Sequence, residues 1–98
     1  ERKNIMSRIT KHNLEIAIHR LNVVSGNPTE PWTKDDDGKF RANIGNYHLD
    51  GAYGGWKFVQ TMNEGGGINN TINMGFESKK VCYELLTAYI AGIETHAK

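Results

Sequence analysis

An α+β fold is predicted for this chain: an antiparallel meander of three or four strands with an N-terminal and a C-terminal helix packed on one of its faces. Three observations predict it. Apolar residues recur at helical spacing towards both ends of the sequence, they recur at every second position between about residues 40 and 75, and 98 residues leave room for one domain and one core.

The elements follow in order. Residues 1–6 are expected to be a non-native leader or a flexible arm, with Met6 as the natural start, because Glu1 to Ile5 can be encoded by a purine-rich ribosome-binding sequence. The first helix is placed at 13–25 by Leu14, Ala17, Ile18, Leu21 and Val24; Thr10 or Asn13 can cap it, and Gly26 with Asn27-Pro28 supplies the stop. Residues 27–39 hold Pro28, Pro31, Asp35-Asp36-Asp37 and Gly38, which predicts a connection with turn chemistry. From Phe40 the period is two. Phe40, Ala42 and Ile44 alternate, followed by Tyr47 and Leu49, then Trp56, Phe58, Gln60 and Met62, then Ile68, Asn70, Ile72 and Met74. Gly45-Asn46, Asp50-Gly51 and the loop from Asn63 to Gly67 are the expected breaks. Ser78 opens a second helix, 78–95, whose Val81, Leu85, Tyr89 and Ile93 form one face with Cys82, Leu86 and Ile90 beside it. No internal repeat or low-complexity segment interrupts this plan.

Composition narrows the function classes. Twelve basic against eleven acidic side chains leave a net charge of +1, a smaller excess than proteins that grip nucleic-acid backbone usually carry. No apolar run is long enough to cross a bilayer, no secretory h-region opens the sequence, and the one cysteine cannot close an intrachain disulfide. A cytoplasmic protein with no membrane partner is expected, and a chain this small often gains stability by forming a homo-oligomer.

The residues that suggest catalysis or metal binding have structural explanations that suit their spacing better. His12, His19, His48 and His96 include no pair at metal-ligand spacing, and no metal is expected. Asp35-Asp36-Asp37-Gly38 lacks the alternating ligands and the later glutamate of an EF-hand and reads as a solvated turn. Cys82 lies beside an apolar helix face with no histidine assigned to it by spacing, so a packed thiol is expected and no catalytic residue is assigned. Trp32 after Pro31 reads as a plug on the core; an exposed Trp there would read as a partner contact.

The densest chemistry lies between residues 43 and 67. Tyr47, His48, Tyr53 and Trp56 offer flat faces, and Gly54-Gly55 with Gly65-Gly66-Gly67 let a ligand approach the backbone without a Cβ in the way. Rings stack on rings, and amides in a turn can form an anion-binding concavity, so the combination suits a compact molecule bearing rings and phosphates. Hairpin turns and a bulge would account for the same glycines. No GK[ST] follows them and no strand-to-helix unit surrounds them, so neither a P-loop nor a dinucleotide fingerprint is present. On the ligand reading, Tyr47, Tyr53 and Trp56 stack on or wall the ligand. Gly54, Gly55, Gly65 and Gly66 present amides, Asn63 and His48 make polar contacts, and Lys79 with Lys80 neutralise phosphate.

Taken together, LNVVSGNPTEPWT, GNYHLDGAYGGW, NEGGG and a closing helix from SKK to AYIAGIE resemble a group of small accessory proteins of tailed bacteriophages, from Leu21 to Glu94. The resemblance implies phage origin and expression in a host bacterial cytoplasm, and it carries over no catalytic residue. By analogy of class, it implies an anti-defence sponge that sequesters a nucleotide second messenger, of cyclic oligonucleotide or cyclic ADP-ribose type, at an oligomer interface and without a cofactor. A protein-binding inhibitor of a host defence factor is the alternative. The order helix, three strands, helix, with Ser78-Lys79-Lys80 opening the last helix, is also similar to the double-stranded RNA-binding domain and makes RNA binding a third expectation. That similarity is reduced by a Leu/Tyr-rich final helix and by a loop histidine with no clear counterpart.

Overall fold

A computed structural model describes residues 8–96, so the leader expected at residues 1–6 lies outside the described residues. The chain is α+β: helix α1 (Lys11–Ser25), strands β1 (Trp32–Lys34), β2 (Phe40–Ala42), β3 (Tyr47–Ala52), β4 (Gly55–Thr61) and β5 (Ile68–Asn69), then helix α2 (Lys79–His96). All pairings are antiparallel, in a three-stranded sheet of order β3-β4-β5 and a separate β1-β2 hairpin.

Thr10 caps α1, and both residues named for that role take part. The Thr10 hydroxyl accepts from the Asn13 amide at 3.1 Å, while the Asn13 side chain accepts from the Thr10 amide at 2.9 Å, a reciprocal capping box. Gly26 ends the helix in the left-handed conformation with φ 75°. Asn22, fully buried, then joins helix to sheet: its side chain donates to the Tyr47 carbonyl at 2.9 Å and accepts from the Tyr47 amide at 2.8 Å. This mimics a ladder pair and occupies part of the outer edge of β3.

The core lies between the helices and one face of the three-stranded sheet. Leu14, Ala17 and Leu21 from α1 meet Tyr47, Phe58 and Met74, with Cys82, Leu86 and Ile90 from α2. The register puts Tyr47 opposite Gln60, Leu49 opposite Phe58 and Gly51 opposite Trp56, so these six share the helix-facing side. The most buried line of α2 is Cys82, Leu86 and Ile90, and Val81 is exposed; the helix is therefore rotated from the face expected from Val81, Leu85, Tyr89 and Ile93.

The strands depart from expectation in four places. The connection 27–39 contains β1, which pairs with β2 and leaves β2 outside the meander. The break expected at Asp50-Gly51 falls later, at Tyr53-Gly54, where both residues have positive φ (54° and 73°), as a tight hairpin turn requires. Gly51 lies inside β3, where a Cβ would come within 3.0 Å of the Trp56 ring. The strand expected through Ile68, Asn70, Ile72 and Met74 shortens to Ile68–Asn69, because the Asn70 side chain donates to the Met74 carbonyl and accepts from its amide, folding 70–74 into a turn.

Candidate functional site

The helices run parallel, and this sets the chemistry of the two ends of the sheet. Near the starts of the helices, Asn13 and Tyr83 line one groove; further along, the Arg20 guanidinium donates to the Glu94 carboxylate at 2.6 Å. The Lys11 ammonium lies 5.7 Å from the centre of the Trp56 ring, and the Trp56 amide donates to the Glu77 carbonyl at 2.7 Å, two residues before α2 begins. Both helix N-termini therefore lie at the end of the sheet that carries the β3–β4 turn, here the tip end. Their partial positive charges add to those of Lys11, Lys79 and Lys80.

A shallow concavity of about 330 Å³ opens at this tip, lined by Gly51, Ala52, Gly54, Gly55 and Trp56. Tyr53 stands beside it, 95% exposed, with its ring 5.6 Å from that of Phe76 in an edge-on contact. A Cβ on Gly54 would meet nothing within 4 Å, so the backbone there is open to an approaching molecule. Gly55 has a different role: a Cβ would come within 2.8 Å of the Phe76 backbone, and its missing side chain admits the segment that leads into α2. Ser78 caps that helix, its hydroxyl accepting from the Val81 amide at 3.2 Å, and Lys79 and Lys80 are exposed on its first turn. Lys80 faces Glu84 at 3.7 Å, a surface pair of little strength. On the other side of the tip, the Lys57 ammonium lies 4.4 Å from the centre of the Phe76 ring.

Of the residues singled out in the sequence, Tyr53, Gly54, Gly55, Trp56, Lys79 and Lys80 are thus brought to one end. The others are not. Gly65, Gly66 and Asn63 follow β4, whose run from Gly55 to Thr61 covers roughly 20 Å of extended chain, too far for one small ligand to touch both glycine groups of one chain. Their local roles are clear. Gly66 has φ 96°, and a Cβ there would come within 3.0 Å of the Trp32 ring; the Asn63 side chain accepts from the Gly67 amide at 2.9 Å and closes the loop. Tyr47 is a core residue: its ring meets Tyr89 edge-on at 6.1 Å, and burial together with the Tyr89 hydroxyl at 3.4 Å raises its pKa. His48 points to the opposite side of the sheet from Tyr47; burial lowers its pKa, with Asp50 opposing the shift. Cys82 is fully buried, and burial with the nearby Glu77 charge raises its thiol pKa to about 11, as suits a packed thiol.

Sequence reasoning missed Lys11, because the helix starts two residues earlier than its apolar spacing indicates, and missed Phe76, which lies outside any periodic run. Among the described residues, no three His, Cys, Asp or Glu side chains are grouped to hold a metal ion, and no helix is long and apolar enough to cross a membrane. Two other grooves flank α2. One, about 360 Å³, lies between the helices at the Arg20–Glu94 pair; the other, about 740 Å³ and open, runs past Tyr89 and His96. Neither gathers rings and cations as the tip does. No known protein family, characterised protein or solved structure matches the chain.

Proposed function

We propose that the protein is a non-enzymatic binding protein that captures a small anionic, ring-bearing molecule of the nucleotide class at its tip end. The carrying observation is the parallel pairing of the helices, which brings two N-termini to the end of the sheet that carries a glycine-lined concavity beside an indole ring. Trp56 and Tyr53 provide rings, Gly54 leaves the backbone uncovered while the Trp56 ring packs on Gly51, and Lys11, Lys79 and Lys80 supply positive charge. A stacked base contributes about 1–3 kcal/mol, and a helix N-terminus facing an anion adds about 0.3–1 kcal/mol. With the phage resemblance, this favours sequestration of a nucleotide second messenger in the host cytoplasm as an anti-defence activity.

The discriminating experiment is native mass spectrometry of protein purified from bacteria whose nucleotide-signalling defence is active. The expected result is a nucleotide mass that co-purifies with the parent and is lost from a Lys79→Glu/Lys80→Glu variant. Protein that carries no adduct and binds neither cyclic dinucleotides nor cyclic ADP-ribose would contradict the proposal. Salt separates it from RNA binding: many duplex phosphate contacts lose orders of magnitude in affinity as salt rises, whereas one or two phosphates and a stacked ring lose far less. Tight duplex-RNA binding with a steep salt dependence would replace the nucleotide reading.

A further inference from the structure

The end of the molecule opposite the tip carries an unpartnered apolar surface. Trp32, Phe40, Ile44, Met62 and Ile68 are each between 47% and 66% exposed, and the chain gathers them in one region. Trp32 pairs with Ala42 in the β1-β2 hairpin, its ring lies against Gly66, Phe40 is two residues from Ala42, and Ala42 donates to the Glu64 carbonyl at 3.1 Å. Met62 donates to the Gly67 carbonyl at 2.7 Å, Ile68 pairs with Thr61, and Gly45, next to Ile44, donates to the Thr61 carbonyl at 2.9 Å.

Trp32 was expected to plug the core. It belongs instead to an arm. Only Ala42 among the six strand residues of the β1-β2 hairpin is buried, and none of the six joins the core cluster. A two-stranded hairpin is marginally stable in water without a third strand or a packed face. The principal extents are 53 × 37 × 24 Å and the radius of gyration is 14.6 Å, against about 13 Å for a compact domain of 100 residues.

We infer that this arm end docks on the same surface of a second copy of the chain. By alternation Met62 lies on the other face of the β4–β5 pair from Ile68; the remaining four side chains expose on the order of 400 Å² of apolar surface, about half of the ~800 Å² per partner of a stable interface, and the polar rim supplies the rest. The rim supports self-recognition over a foreign partner of one sign. Lys34, Lys39 and Arg41 alternate with Glu30, Asp36, Asp37 and Glu64, and a two-fold contact that places a surface against itself needs both signs on one surface. Arg41 and Glu64 already approach to 4.0 Å within one chain and can exchange partners across the axis. Joined in this way, the dimer keeps its two tip ends on the outside, away from the interface.

Sedimentation velocity from micromolar to several hundred micromolar tests the inference. The parent is expected to sediment as a dimer, and Trp32→Ala and Phe40→Lys are each expected to weaken association at least tenfold while retaining the parent's far-UV dichroism and melting cooperativity. Ile68→Lys, outside the arm, provides a third variant should either arm substitution disturb the hairpin. A parent that remains monomeric throughout would overturn the inference, as would folded variants that dimerise like the parent. A monomeric parent that retains a host protein through Trp32 would overturn it in favour of a heterologous partner.

Discussion

At the tip end, glycines and rings surround an uncovered patch of backbone; at the arm end, the same residue types are spent on each other. Gly54 has open space where a Cβ would stand, whereas Gly66 has the Trp32 ring there. The tip collects helix N-termini and lysines, while the arm end collects exposed apolar side chains within a rim of both signs. The two proposals therefore give two glycine- and ring-bearing regions different partners, an anion at one end and a second copy of the chain at the other. What separates them is the helix and sheet geometry around each.

Substitutions that keep the two ends apart should sharpen this contrast. The largest effect is expected from Gly55→Val, because the new side chain meets the Phe76 backbone and not a flexible neighbour. It should lower stability by about 3 kcal/mol, as overpacking against an immovable wall does, and urea unfolding measures the loss. Gly54→Ala, beside it in the turn, is expected to cost only about 1 kcal/mol, from the positive φ alone. Equal losses would mean that the Trp56–Glu77 joint does not hold the tip together.

Trp56→Ala is expected to weaken nucleotide capture about tenfold to a hundredfold, the loss of one stacked ring. Calorimetric titration with the nucleotide recovered by native mass spectrometry measures it, after a melt has shown the variant folded. Gly66→Val should leave capture intact, because Gly66 lies against Trp32 and far from the tip. It should instead cost about 1–3 kcal/mol of stability and disturb the arm. Loss of capture in Gly66→Val would place the ligand across both ends and break the contrast.

The smallest effect concerns pH. Burial holds the His48 pKa below 6.5 in the folded chain, so on acidification the unfolded chain takes up its proton first. Stability should therefore fall slightly as the pH drops from about 6.5 towards the folded pKa and should level off below it. Replacing His48 with Gln should flatten that part of the profile, measured as urea midpoints between pH 7.5 and 5; an unchanged slope would assign the dependence to another group.

Much of the fold was legible because long periodic segments report burial directly. Leu14, Ala17 and Leu21 are buried where their helical spacing puts them, and Phe58 is buried where its alternation does. The β1 strand was not legible: it has three residues, all exposed, and follows Pro31, so no buried face left a period in the sequence. The hairpin turn was misplaced because Gly51 looks like a turn residue, although its bare Cα serves the Trp56 ring; the actual turn puts an aromatic residue, Tyr53, at positive φ. The candidate site was legible in its residue types but not in its unity. Nearness in sequence suggested one pocket, and the extended β4 between the glycine groups holds them apart.

The most direct measurement is a pair of calorimetric titrations with that nucleotide, one on Lys79→Glu/Lys80→Glu and one on Trp32→Ala, each compared with the parent. The account predicts that the tip variant loses at least tenfold in affinity and that the arm variant binds like the parent, with one ligand per chain. Capture that survives charge reversal at the tip, or that disappears with Trp32, would contradict it.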